Sequence, residues 1–235
     1  MFWLRPHSSA MPDAPTPELL RSLGRLVRGL SALFWGLPLA LLICVQSAKM
    51  DWLQPLNIFP ALAATGLLLF GLMQLGAFHR GERLWQNALD RARFFALVNC
   101  GLSPFLFWWN HLPENSFFGL SIALLALSAL LFLFCLNLVL QRLGDMLPDE
   151  ALRLETRQFT ALNRTLLAAL LLLASLYAGL AQIPSVPDSL EKAFFILSRV
   201  GPWLLLFLGL LPLAMTMALI WKIKEFVLAG VFGAR

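Results

Sequence analysis

Too few charged side chains are present to coat a water-soluble globule of this size. They make up 13% of 235 residues, against about 25% in a soluble domain. The missing polar surface must face lipid, and the mean hydropathy of +0.76 agrees. Cysteine is also scarce: Cys44, Cys100 and Cys135 lie far apart inside apolar runs, which excludes a disulfide framework and metal-knuckle spacing. No phosphate loop, no G-x-S-x-G elbow and no H-E-x-x-H occurs, so ATP binding and the commonest hydrolytic sites are not expected. No Asp, Glu or His falls at the centre of an apolar run, and such a residue is the usual mark of an ion or proton pathway.

What is present is a series of apolar runs. The clearest, within Asn115–Gln141, has no charged residue. About 20 helical residues cross a ~30 Å hydrocarbon core, so it can span with room to tilt. Comparable runs predict six spans, near 29–48, 57–78, 94–110, 117–140, 165–181 and 201–221. The expected fold is therefore all-α and polytopic: three helical hairpins in one membrane domain over 17–235, behind an irregular tail over 1–16. The tail carries Pro6, Pro12 and Pro15 and lacks the apolar core of a cleavable signal. Thr16-Pro17-Glu18 reads as a helix start, with an N-cap hydroxyl, a proline at the first helical position and an acid in the first turn. Pro148-Asp149-Glu150 reads as another. Ser116 is the expected cap of the fourth span. Amphipathic linker helices precede the odd spans; in 79–93, Trp85, Ala88, Leu89 and Ala92 share one face, as expected of a helix lying along the membrane surface. The third span contains Pro104, which frees a backbone carbonyl.

The basic residues set the orientation. With both termini inside, the inner segments hold fifteen Lys and Arg and the outer ones three, Lys49, Lys192 and Arg199. That is a strong positive-inside bias. Trp52, Trp108, Trp109 and Trp203 then fall near the outer interface, Trp85 and Trp221 near the inner one. The expected location is the inner (plasma) membrane of a bacterium, with cytoplasmic termini. The net charge of +5 is thus read as an insertion signal, and nucleic acid is not an expected partner, since no basic cluster stands free of the membrane flanks.

Arg25, Arg91 and Arg157 are 66 residues apart, each at the head of an odd span. ELLRSLGR (18–25), LWQNALDR (84–91) and EALRLETR (150–157) align without gaps. A threefold duplication leaves such an offset, and so do three hairpins of similar length. Mitochondrial carriers are also three hairpins, but their acidic-basic signature after a span proline is absent here.

Chemistry-bearing residues are few. His79 and His111 fall at opposite faces in this topology, so they cannot share a haem or metal. Asp145, Asp149, Glu150 and Glu155 are the densest carboxylates, but Arg142, Arg153 and Arg157 are interspersed, the pattern of a solvated, salt-bridged helix. No catalytic residue, metal or cofactor is expected. Two groups remain. Arg21, Arg25, Arg91, Arg153 and Arg157 could dock a partner or anionic lipid on the inner face. Asn99, Ser103 and Asn137, inside spans three and four, could tie helices together or line a polar site. The leading expectation is a non-catalytic membrane subunit, a scaffold or anchor partnered by lipid and by other membrane subunits or further copies of itself. The alternative is a transporter or channel for a small neutral or lipid-like solute.

Overall fold

In the computed structural model the described residues are 17–49, 57–76, 78, 82–112, 114–147, 150–180 and 188–232. The tail over 1–16, the turn with Asp51 and Pro55, His79, and the Pro148-Asp149 start lie outside them. Seven helices run α1 (Pro17–Lys49), α2 (Phe59–Leu75), α3 (Arg83–Leu102), α4 (Phe105–His111), α5 (Ser116–Asp145), α6 (Glu150–Leu180) and α7 (Asp188–Phe232). Four of them, α1, α5, α6 and α7, contain segments long and apolar enough to cross a membrane, while α2 is a shorter apolar helix of 17 residues. This is the construction of a multi-pass membrane protein.

The amphipathic segments are not separate helices. The segment from Arg83 runs on through Phe94 into the third apolar run, since neither proline nor glycine interrupts it before Gly101. Trp85, Leu89 and Ala92 are fully buried in the protein core, where a surface-lying helix was expected. The third run is split instead: α3 ends at Leu102 and α4 resumes at Phe105 after the turn at Ser103-Pro104. In α7, residues 193–200 are continuous with the sixth run.

Neighbours pack as hairpins: α1 on α2, α3 and α4 on α5, α6 on α7. Contacts of α2 with α3, α5 with α6 and α1 with α7 close these into a ring. The tightest joint is α1–α2, where a Cβ on Gly29 would lie 2.8 Å from the Gly71 carbonyl oxygen. At the end of α2, Arg93 of α3 occupies the space beside Gly76 and donates to the Leu72 carbonyl at 3.3 Å. A helix C-terminus has unpaired carbonyls and partial negative charge, so the guanidinium suits it on both counts. Asp90, 3.1 Å from Arg93, balances part of its charge. At the start of α5 the cap is Asn115, whose side chain accepts from the Phe117 amide at 3.0 Å. Ser116, the expected cap, is the first helical residue.

Burial refines the repeat. The buried face of α1, Leu26, Leu30, Leu33, Leu37 and Ala40, recurs 66 residues on as Ala92, Ala96, Asn99, Ser103 and Leu106. In α6 the same 4-3-4-3 spacing falls on Thr156, Thr160, Asn163, Leu167 and Leu170, an offset of 64. The buried faces and the arginine heads therefore differ in register by two residues in α6: aligned by burial, Glu155 stands where Arg91 does, and Asn163 where Asn99 does.

Candidate functional site

The three polar residues picked from the apolar runs of the sequence are all buried, but in two places. Asn99 on α3 accepts a hydrogen bond from the Ser128 hydroxyl on α5. One turn along, the Ser103 hydroxyl donates to its own helix at the Cys100 carbonyl (3.0 Å) and meets the Thr65 hydroxyl of α2 at 3.4 Å. Asn137 lies nine residues beyond Ser128 on α5, about half a turn out of phase and ~13 Å along the axis. It therefore faces α6 and α7 rather than α3.

There Asn137, Asn163 and Thr216 form a network across three helices. Asn163 Nδ2 is within donating distance of Asn137 Oδ1 (2.9 Å), Thr216 Oγ1 (2.9 Å) and the Pro212 carbonyl (3.2 Å). Asn137 Nδ2 donates to Thr216 Oγ1 (3.0 Å) and to the Leu133 carbonyl (2.8 Å). The Thr216 hydroxyl in turn donates to the Pro212 carbonyl at 2.7 Å. It thus uses its proton and both lone pairs. Among the described residues, three oxygens on α6 remain buried without a protein partner: Thr156 Oγ1, Thr160 Oγ1 and Asn163 Oδ1. Thr156 also abuts Gly144 of α5, where a Cβ would meet its methyl group at 2.9 Å.

The five candidate docking arginines, Arg21, Arg25, Arg91, Arg153 and Arg157, are all exposed. They come from the first helix of each hairpin, near one end of the bundle. The contacts that fix this end are Gly29 on Gly71, Arg93 at Gly76, Gly144 on Thr156, and the ion pair of Glu155 with Lys222. Among the described residues the contact of Arg153 is a long one, 3.4 Å, to the Leu147 carbonyl. Glu155 pairs across to α7, not with the arginines of its own helix.

At the opposite end His111, Leu112, Glu114 and Asn115 line an open depression. His111 Nδ1 is 3.0 Å from the Phe107 carbonyl and its ring lies against Phe107. These contacts give the imidazole a local structural role. Among the described residues no three His, Cys, Asp or Glu side chains come together as a metal site.

Sequence reasoning missed Thr65, Ser128 and Asn163. The first two are single hydroxyl residues within apolar runs. Asn163 lay in a segment assigned to a polar linker, yet Thr156, Thr160 and Asn163 follow helical 4-3 spacing, which was the available signal. In the comparisons with known proteins, no family model, no curated protein and no solved structure matches the chain.

Proposed function

We propose that the chain is a non-catalytic scaffold or anchor subunit of a membrane complex. In this reading six spans form three hairpins, both termini are cytoplasmic, and the arginine-bearing end faces the cytoplasm of a bacterial cell. The observation that carries it is the set of exposed arginines that three hairpins bring to one end, without described carboxylates paired to them. A basic surface of this kind suits an acidic partner surface or anionic headgroups. The buried polar side chains mostly tie helices to one another, as interhelical glue does.

Gentle extraction from the native membrane, with identification of the co-purifying polypeptides, is expected to yield a particle with stoichiometric partners. Changing Arg21, Arg25, Arg91, Arg153 and Arg157 together to Gln should deplete those partners while the chain stays in the membrane. Unchanged association in that variant sinks the docking claim.

One observation favours the alternative, passage of a small neutral or lipid-like solute. Thr156, Thr160 and Asn163 offer buried, unused acceptors along one helix face. On that reading Asn99→Leu with Asn137→Leu abolishes flux in proteoliposomes while folding is retained; unchanged flux removes these residues from any pathway.

A further inference from the structure

The α5 helix presents one uninterrupted outward stripe. Leu120, Leu124 and Leu127 are exposed, and Leu131, Phe134 and Leu138 half-buried. Their 4-3-4-3-4 spacing keeps them on one face over about 27 Å. Ser128, which meets α3, and Asn137, which meets α6 and α7, lie on opposite sides of α5. The stripe runs midway between those two sides: toward the basic end, where Leu131, Phe134 and Leu138 are half-buried, it is the floor of a furrow between α3 and α6, and toward the other end it opens onto a wider exposed face with Ala123, Ala126 and Ala129.

The basic end of that furrow carries one arginine from each helix. Arg142 continues the stripe of α5 itself and is exposed. Arg164 of α6 holds its guanidinium 5.2 Å from the Phe134 ring centre. Arg91 of α3 is exposed and lies eight residues before Asn99, the partner of Ser128 on the antiparallel α5, which sets it level with Cys135 and Leu136. Among the described residues none of the three has a carboxylate within ion-pair distance. Helical side chains lean toward their own N-terminus. Arg142 therefore leans down the stripe, while Arg91 and Arg164, on helices of opposite direction, lean up to meet it. Phe134 and Cys135 lie about 10–12 Å along α5 from Arg142, so Arg91 and Arg164 are set deeper than the rim of the bundle.

We propose that this furrow binds an anionic glycerophospholipid of the surrounding membrane. Its phosphate sits among Arg91, Arg142 and Arg164, and an acyl chain lies along the stripe from Leu138 toward Leu120. The inference deepens the scaffold reading by giving its lipid contact a location. Charge complementarity selects the occupant: guanidinium groups match phosphate oxygens, and an apolar floor of bilayer length continues directly below them. An acidic peptide would match the arginines but leave the stripe unexplained.

The test is native mass spectrometry of the full chain released from membranes of equimolar phosphatidylglycerol and phosphatidylcholine. The wild type should retain phosphatidylglycerol preferentially. Arg142→Gln with Arg164→Gln should lower that retention by about thirtyfold, the ratio that corresponds to about 2 kcal/mol for two arginines at an anionic headgroup. Equal retention of the two lipids by the wild type overturns the proposal, and so does undiminished preference in the variant. Neither Arg142 nor Arg164 belongs to the proposed partner-docking set. A variant that loses lipid but keeps its partners therefore supports the site whatever becomes of the docking claim. Normal lipid retention beside partner loss in the five-arginine variant rejects the site alone. A photo-crosslinker at Leu127 should label lipid; labelling of another polypeptide assigns the furrow to a protein and overturns the proposal.

Discussion

Gly29→Leu is expected to abolish accumulation of the folded protein. At this point α1 and α2 touch backbone to backbone. A Cβ at Gly29 would sit 2.8 Å from the Gly71 carbonyl oxygen, and one at Gly71 would sit 3.1 Å from the Gly29 carbonyl and 2.9 Å from Leu33 Cγ. A carbonyl in a helix cannot swing aside as a side-chain tip can, so the helices themselves must separate. The same first hairpin buries Leu26, Leu30, Leu33, Leu72 and Leu75 completely, and separation loosens all five. Overpacking a core by one or two carbons costs about 1–3 kcal/mol, which is the expected loss for Gly29→Ala. Leucine adds three more carbons in the same place, and the cost approaches the ~5–15 kcal/mol that holds a domain together.

Two other glycines of α1 serve as controls. A Cβ at Gly36 would meet the flexible end of Leu68, and one at Gly24 would meet nothing. Gly24→Ala should leave stability unchanged or raise it slightly, and Gly36→Ala should cost less than Gly29→Ala. Thermal unfolding of detergent-extracted protein, read by size-exclusion profile, ranks the series. A Gly29→Leu variant as stable as the wild type would falsify the close-contact account.

That joint was not legible in the sequence, where Gly29 and Gly71 are two glycines among fifteen. What periodicity and composition do reveal is one-dimensional: where a run begins, how long it is, and which end is basic. Pro17 opens α1 where the Thr16-Pro17-Glu18 pattern puts a helix start. Pro104 separates α3 from α4 because a proline lacks the amide that would continue the ladder. Boundaries drawn by hydropathy failed where the helix did not change with the polarity. Residues 83–93 and 94–102 are one helix, and so are 150–164 and the fifth run. A polar stretch keeps its helical hydrogen bonds when nothing in it breaks them, so a change of solvent preference is not a change of backbone. The same error hid Asn163 and Arg164, which were assigned to a linker. The even spacing of Arg25, Arg91 and Arg157 and the register of the buried faces differ by two residues in α6, since arginines at a solvated helix head constrain register less than a buried face does.

Asn163→Leu is expected to destabilise the α5–α6–α7 joint more than removing all three polar members of its network together. Asn163 is 1% exposed and is the donor shared by Asn137, Thr216 and the Pro212 carbonyl. Leucine is close to asparagine in length, so the dominant loss is electrostatic rather than a cavity. Asn137 Oδ1 is left buried with no donor from α6. An orphaned buried polar group costs about 1–3 kcal/mol, whereas replacing both partners by apolar groups of similar shape is nearly neutral. The combined variant Asn137→Leu, Asn163→Leu, Thr216→Val removes the orphans as well as the bonds. It also removes Asn163 Oδ1, which has no partner in the wild type, so its cost should be within about 1 kcal/mol. Unfolding measured on the three singles and the combination gives the coupling directly. A combined loss equal to the sum of the singles means that these residues act separately. A combined loss smaller than that of Asn163→Leu alone means that they act as one unit, whose purpose is to set which faces of α5, α6 and α7 meet. The buried apolar residues of α6 at this level are leucines such as Leu167 and Leu170, and that register is information they do not carry. The combined variant should therefore lose helix–helix specificity, seen as broadened crosslinking between α5 and α6, before it loses stability.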